Sequence, residues 1–296
     1  MTQDALTVPL PLAAGPGLWA TVGRALRRSR STMIGGAVVL TVALVAILAP
    51  VVAPRDPQAI HVVDRLRPPG AAYPLGTDNL GRDIASRVIH GARISLVVGI
   101  LVVGSSAAAG IVLGLASGYS NRVDRVVMRI MDGLMAFPSI LLAIALMAAL
   151  GARLSNVIVA LAIVYTPRVA RVVRGATLVL RELDYVQAAQ ALGARESRVL
   201  FQHVLPNCMA PVIVQETFIF ADSVLAEAAL SFLGVGLPPY IPSWGTIITT
   251  GRMFMQTAPW ITIVPGVAIL VTVLGLNLLG DGLRDLADPR LRGRGG

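Results

Sequence analysis

The sequence predicts an all-α membrane protein with six transmembrane helices. Hydrophobic residues make up 55% of the 296 residues, and the mean hydropathy is +0.74, values that are not typical of a water-soluble domain. Charged residues account for 14% of the chain, against about 25% in soluble proteins, and lie between long uncharged runs. These runs have helical length and lack the alternating pattern of β-barrel strands.

The first predicted span comprises residues 33–52, which are almost wholly apolar and long enough for about 20 residues of membrane helix. Four arginines between Arg24 and Arg30 precede this run, an arrangement that also fits a signal peptide. The run is longer than the roughly 7 to 15 apolar residues of a typical signal peptide. We therefore favour a retained helix.

Residues 79–90 are expected to form a helix that lies on the outer surface of the membrane. Leu80, Ile84 and Val88 make one apolar stripe at helical spacing, whereas the charged Arg87 lies off that stripe. This interfacial helix and the loop before it form the predicted external segment.

Five further spans follow. Their uncharged or mostly apolar stretches are 94–121, 133–152, 154–167, 208–236 and 253–280. The stretch 154–167 covers only about 21 Å at 1.5 Å per residue, whereas the hydrocarbon core is about 30 Å thick. Its helix is therefore expected to continue through Arg168 and Arg171, whose side chains would reach the membrane interface.

The arginines predict the orientation. All 25 basic residues are arginines, and with six spans 17 of them fall on the side that holds both termini and 8 on the other side. The positive-inside rule places both termini and the two basic loops in the cytoplasm. Membrane topology also accounts for the net charge of +9, so no nucleic acid partner is expected.

The predicted organisation has five segments. They are a cytoplasmic N-terminal segment 1–32, a first transmembrane helix 33–53, an external segment 54–93, a transmembrane core 94–283 that contains the cytoplasmic loop 182–206, and a cytoplasmic tail 284–296.

Catalytic and metal chemistry find little support in the sequence. Cys208 is the single cysteine, and the three histidines are far apart, so no redox or zinc framework is predicted. The chain has no lysine and hence no P-loop, which excludes a standard ABC ATPase. We therefore expect no catalytic residue, no metal and no cofactor bound by this chain.

The loop 182–206 has a helical pattern of its own. Asp184 is placed to cap a short helix, with Gln187 three residues later in a capping-box arrangement. Gly193 would supply the left-handed residue that ends this helix, and a second short helix would end at Pro206. The pattern predicts a helix, a glycine turn and a helix, which by spacing alone also fits an amphipathic interfacial helix.

Five ordered motifs carry a resemblance to a known family. They are PLGTDNLGRD at 74–83, MDGLMAFP at 131–138, YVQAAQALG at 185–193 with a proline thirteen positions later, EAALSFLG at 227–234 and GDGLRD at 280–285. The third resembles the EAA loop of permeases in binding-protein-dependent ABC importers. Together the motifs resemble the C-type permease subunit of the dipeptide, oligopeptide and nickel importers, over about residues 20–292.

The resemblance implies a type I ABC importer permease bundle. It implies a heterodimer with a homologous second permease subunit, two cytoplasmic ATPase domains that bind ATP and magnesium, an external substrate-binding protein and surrounding lipid. It also implies that the loop 182–206 seats in a cleft of the ATPase. Its expected coupling residues are Asp184, Tyr185, Gln187, Ala188, Ala189, Gly193, Leu205 and Pro206. The family's motif opens with an acidic residue where this chain has Gln187, so no salt bridge is expected there.

Glu216, Asp222 and Glu227 are candidate residues of a translocation pathway. Glu216 and Glu227 lie only about 20° apart around a helix, and Asp222 lies about 120° from them. An acid at mid-bilayer costs at least about 2.5 to 3.5 kcal/mol, so this face should turn toward the bundle interior or water. These acids would attract a cationic group such as the amino terminus of a peptide. Alternatively, Glu216 and Glu227 cap or brace neighbouring helices.

The combined prediction is a permease subunit that imports dipeptides or oligopeptides across a bacterial inner membrane. It is not itself an enzyme, because its partners hydrolyse ATP. Importers of nickel or another small solute are the alternatives within the family. The residues alone also leave two other function classes as alternatives, an ion-coupled secondary transporter and an intramembrane enzyme.

Overall fold

The computed structural model describes residues 30–287 of the chain. Most of the predicted segment 1–32, with its arginines before Arg30, and most of the tail 284–296 lie outside the described residues. Within the described range there is no β-strand beyond one isolated bridge, between Thr77 and Asp83. The predicted all-α class is confirmed.

The described part of the chain contains long helices joined by short ones. The α-helices are α1 Arg30–Ile47, α2 Ala49–Val52, α3 Ile84–Tyr119, α4 Asn121–Met135, α5 Ser139–Leu150, α6 Leu154–Leu180, α7 Asp184–Ala191, α8 Glu196–Val199, α9 Leu205–Phe232, α10 Trp244–Gly251 and α11 Trp260–Ala287. A π-helical turn, Leu200–Val204, joins α8 to α9, and 3₁₀ turns occur at Val62–Asp64 and Arg252–Phe254.

Five helical runs are long and apolar enough to cross a membrane, and α4 with α5 makes a sixth if this bent pair is one span. The two helices meet at 94°, so the apolar stretch 133–152 contains a sharp break and its regular helix begins at Ser139. Pro138 explains the bend, because it has no N–H to donate and disfavours helical geometry at Phe137. The 12 residues of α5 cover only about 18 Å.

The separate interfacial helix predicted over 79–90 is also wrong. Helix α3 begins at Ile84 and continues for 36 residues to Tyr119. The Asp83 carboxylate caps its first turn by accepting a hydrogen bond of 2.9 Å from the Ser86 N–H. Ile84 is fully buried against α10 and α11, so the apolar stripe packs within the protein.

Close contact between α3 and α6 forms the centre of the bundle. Gly110, Gly114 and Gly118 follow one face of α3 and pack against the α6 segment that contains Ala170 and Val173. A Cβ atom at Gly114 would lie 2.6 Å from the Ala170 carbonyl oxygen, so only glycine permits this approach. Helix α9 packs on both α3 and α6, and α1 packs on α11.

Candidate functional site

The cytoplasmic loop predicted over 182–206 has the expected glycine turn. Helix α7 ends in a Schellman motif, in which Gly193 has φ of 82°. The Ala194 N–H donates to the Ala189 carbonyl over 3.0 Å, and the Gly193 N–H donates to the Gln190 carbonyl over 2.9 Å. The left-handed conformation predicted for Gly193 is confirmed, and it directs the chain out of α7.

The start of α7 differs from the predicted capping box. Leu183 occupies the N-cap position, and no side chain makes a capping hydrogen bond there. Asp184 is the first helical residue, where its charge still interacts favourably with the positive end of the helix dipole. Gln187 donates instead to the Glu182 carbonyl over 3.3 Å. The predicted cap at Asp184 is therefore wrong, because Leu183 adopts the extended backbone that a cap requires.

Pro206 does not end the second helix of the loop, contrary to the prediction. Helix α8, the π-helical turn Leu200–Val204 and α9 form one helical run, Glu196–Phe232. In the π-helical turn just before the proline, each backbone hydrogen bond joins residues five apart, where an α-helix joins residues four apart. The turn thereby accommodates a residue that has no N–H and whose ring would clash with the preceding turn.

Three valines hold the loop against the membrane helices. Val186, Val199 and Val204 are fully buried. Tyr185 packs edge-on against His203, with ring centroids 6.1 Å apart, and its hydroxyl accepts a hydrogen bond of 3.4 Å from Asn207. Partial burial raises the pKa of the Tyr185 hydroxyl. This packing fixes the orientation of α7.

The outer surface of the loop is open. Among the expected coupling residues, those that are exposed are Asp184, Tyr185, Gln187, Ala188, Gly193 and Pro206, and those that are half-buried are Ala189 and Leu205. Leu192 is 89% exposed beside the glycine turn. An apolar side chain exposed to this degree is a suitable anchor for another protein.

Glu227 lies at the junction of three helices. Its carboxylate is fully buried and accepts hydrogen bonds from Ser95 on α3, over 3.3 Å, and Ser231 on α9, over 2.9 Å. A third bond of 2.8 Å comes from Ser243, the N-cap of α10. The hydroxyl donors offset the cost of burying the carboxylate and tie α9 to α3 and α10.

Glu216 lies on the same face of α9 as Glu227 and also faces α3. It is 8% exposed, and one carboxylate oxygen accepts a hydrogen bond of 3.4 Å from Ser106. Its other oxygen, Oε1, has no hydrogen-bond partner among residues 30–287. The structure thus brings Glu216 and Glu227 to one interhelical surface and leaves Asp222 on another.

Asp222 pairs with an arginine in the middle of α6. Arg168 Nη1 donates to Asp222 Oδ2 over 2.6 Å, and the two side chains are 35% and 45% exposed. The guanidinium also lies 5.1 Å from the centre of the Tyr165 ring and 3.4 Å from Ser139 Oγ. The pair borders a cavity of about 290 Å³ between α5, α6 and α9. The cavity is lined by Ser139, Ile140, Ala143, Leu161, Tyr165, Arg168, Asp222, Leu225, Ala226 and Ala229.

The two arginines that follow on α6 are paired as well. Arg171 contacts Asp132 on α4 over 2.8 Å, and Arg174 forms an ion pair with Asp124 on the same helix. Arg168 and Arg171, which were expected to reach the membrane interface, instead pair with Asp222 and Asp132, two partners that were not predicted. The available signal was the central position of Arg168 in a long apolar helix, which favours a paired, functional charge.

Comparisons with known proteins identify the family. The model described as "Binding-protein-dependent transport system inner membrane component" matches residues 108–293, and "N-terminal TM domain of oligopeptide transport permease C" matches residues 17–69. A Brucella suis biovar 1 protein named as a peptide transport system permease is 51% identical over 272 residues, 92% of each chain. The Pseudomonas aeruginosa di/tripeptide transport system permease protein DppC is 46% identical over 260 residues, 86% of each chain.

A solved structure agrees on the fold. The inward-facing methionine ABC transporter MetNI matches with a TM-score of 0.53 and 20% identity, over 68% of this chain and 96% of that chain. The expected importer-permease bundle is thereby confirmed. The relatives are permease subunits of transport systems, so the chain is a transporter subunit and not an enzyme, and the ATPase is a partner subunit. The chain therefore belongs to the family of inner membrane components of binding-protein-dependent transport systems.

Proposed function

We propose that this chain is the permease subunit of an ATP-driven importer of dipeptides or oligopeptides and forms half of its translocation pathway. The observation that carries the proposal is the 51% identity, over 92% of the chain, to a protein named for peptide transport. A dipeptide permease of Alkalihalophilus pseudofirmus, 42% identical over 93% of this chain, supports the same substrate class. This evidence favours peptides over nickel and over ion-coupled transport.

Both termini lie on the cytoplasmic side in this proposal. Of the 17 arginines first assigned to that side, Arg168, Arg171 and Arg174 lie within α6, which leaves 14 against 8. The remaining excess still favours a cytoplasmic location for the termini and for the loop around Gly193.

The partners are a homologous second permease subunit, two cytoplasmic ATPase domains that carry ATP and magnesium, and an external substrate-binding protein. The Arg168–Asp222 pair supports a second permease subunit. Both side chains are half-exposed near the middle of membrane helices, and a neighbouring subunit would shield these charges from lipid. The open surface around Gly193 and Leu192 is the proposed contact with an ATPase domain.

Among the three acidic residues of α9, Asp222 is the one we assign to the pathway. It is half-exposed and borders the cavity. Glu216 and Glu227 face α3, and the three serine hydroxyls around Glu227 favour the bracing role that was the alternative for these two residues.

Reconstitution tests the proposal. The chain is co-purified with its second permease subunit and ATPases, placed in proteoliposomes and supplied with the binding protein and ATP. We expect ATP-dependent uptake of radiolabelled dialanine that survives collapse of the ion gradients. Uptake of ⁶³Ni²⁺ in place of dialanine, or loss of uptake with the gradient, would contradict the proposal.

A further inference from the structure

The Arg168–Asp222 pair lies at mid-depth in the bundle. Arg168 is 14 residues from Leu154 and 12 residues from Leu180, which places it about 18 to 21 Å from either end of α6. Of the ten residues that line the adjoining cavity, only Arg168 and Asp222 are charged. One positive and one negative group therefore meet in an otherwise uncharged cavity, at the depth where charges are most costly.

We propose that Arg168 and Asp222 form a substrate subsite that binds the two charged ends of a zwitterionic peptide during transport. This inference rests on the proposed function and assigns the substrate chemistry to particular atoms. Asp222 would accept the peptide's ammonium group, and the Arg168 guanidinium would bind its carboxylate. In the absence of substrate, the Arg168 guanidinium and the Asp222 carboxylate neutralise each other's charge by forming an ion pair.

The surroundings of Arg168 allow such an exchange of partners. The Tyr165 ring and the Ser139 hydroxyl contact the guanidinium in addition to Asp222, so Arg168 keeps two neighbours when the carboxylate is released. Tyr165 is only 4% exposed and gives the cation a fixed platform. An extended dipeptide is about 7 Å long and needs a hydrogen bond of about 2.8 Å at each end, so the 2.6 Å pair must open by about 10 Å to hold it.

The size and lining of the cavity fit a small, varied substrate. Its volume of about 290 Å³ lies just below the range of about 300 to 1,000 Å³ for ligand pockets of drug-sized molecules. Ala143, Ala226 and Ala229 line it with small apolar groups that offer no specific contact to a side chain. Recognition would rest on the charged ends that all unmodified peptides share.

A matched control lies on the same helix. Arg171 and Asp132 also form an ion pair, of 2.8 Å, but neither residue lines the cavity, and their side chains are 51% and 63% exposed. Neutralising this second pair removes the same charges from α6 and a facing helix without changing the proposed subsite.

The test measures binding to the assembled transporter in lipid nanodiscs, without ATP and without the binding protein. The probes are dialanine, N-acetyl-dialanine and dialanine amide. We expect the parent complex to bind dialanine about tenfold more tightly than either modified peptide, because each lacks one charge-assisted hydrogen bond. Asp222→Asn should abolish the preference over N-acetyl-dialanine alone, and Arg168→Gln should abolish the preference over the amide alone. The variants Asp132→Asn and Arg171→Gln should keep both preferences.

A single neutralisation leaves an unpaired charge and can impair assembly. The double variant Arg168→Gln/Asp222→Asn avoids this problem and should lose both preferences. Unchanged preferences in the double variant, or no dialanine binding to the parent complex, would overturn the subsite. If the parent complex still imports dialanine in proteoliposomes, only the subsite fails. If it imports no peptide, the proposed function fails as well.

Discussion

The hydroxyl of Ser243 donates a 2.8 Å hydrogen bond to the buried carboxylate of Glu227, and the same hydroxyl caps α10 by accepting from the Thr246 N–H over 3.1 Å. One side chain therefore sets both the start of α10 and its position against α9. Ser95 adds α3 to this junction. The arrangement makes Glu227 a structural centre of the half of the bundle that contains α10.

We expect Glu227→Gln to lower the stability of the complex by about 1 to 3 kcal/mol, because the amide has one oxygen acceptor in place of two and leaves a buried hydroxyl without its acceptor. The midpoint of thermal unfolding of the purified complex measures the effect. Glu182→Gln is the control, since Glu182 is 66% exposed, and should stay within about 0.5 kcal/mol of the parent. Equal midpoints for the two variants would refute the bracing role.

The substitution Gly114→Ala should separate α3 from α6 and cost about 1 to 3 kcal/mol, since its Cβ would lie 2.6 Å from both the Ala170 oxygen and Val173 Cβ. Gly104→Ala on the same helix has no atom within 4 Å and should be neutral or stabilising. Thermal unfolding again gives the comparison. A Gly114→Ala complex as stable as the Gly104→Ala complex would show that this close approach is not required.

Gly193→Val should uncouple ATP hydrolysis from transport while the complex still assembles. A Cβ at this position meets no atom within 4 Å, so the strain comes from the backbone, whose φ is 82°. That strain is about 1 to 2 kcal/mol for most residues and disturbs the direction of α7. Gly193→Asn is the matched control, because asparagine tolerates this conformation. The measurements are ATP hydrolysis stimulated by the binding protein and dialanine uptake. If the valine variant keeps both activities with the ATPases bound, the loop is not the coupling element.

Cysteine labelling tests the orientation in a Cys208→Ala background. Val63→Cys, at a position that is 91% exposed, should react with a membrane-impermeant maleimide in intact cells. Leu192→Cys and Arg292→Cys should react only after permeabilisation, in cells that lack the ATPase subunits. Labelling of Leu192→Cys or Arg292→Cys in intact cells would show that the proposed orientation is wrong.

The amino-acid sequence predicted the elements that depend on local chemistry. The left-handed Gly193 follows from glycine's conformational freedom, and the extension of the fourth span through Arg168 follows from the thickness of the bilayer. A break at Pro138 follows from the geometry of proline, whereas hydropathy reports only that a segment is apolar and could not give the 94° angle between α4 and α5. The partner of Arg168 was missed, because Asp222 is 54 residues away and only helix packing brings them together.

The continuous helical run Glu196–Phe232 couples distance along the chain to angle around it. Glu196–Phe232 is 37 residues of continuous helix, and Asp222 lies about 39 Å along it from Glu196, which lies just beyond the glycine turn at Gly193. Each residue added or removed within such a helix rotates everything beyond it by about 100°. The angular positions of the glycine turn and of Asp222 are therefore fixed relative to each other. An insertion or deletion of a single residue between them would turn Asp222 away from Arg168.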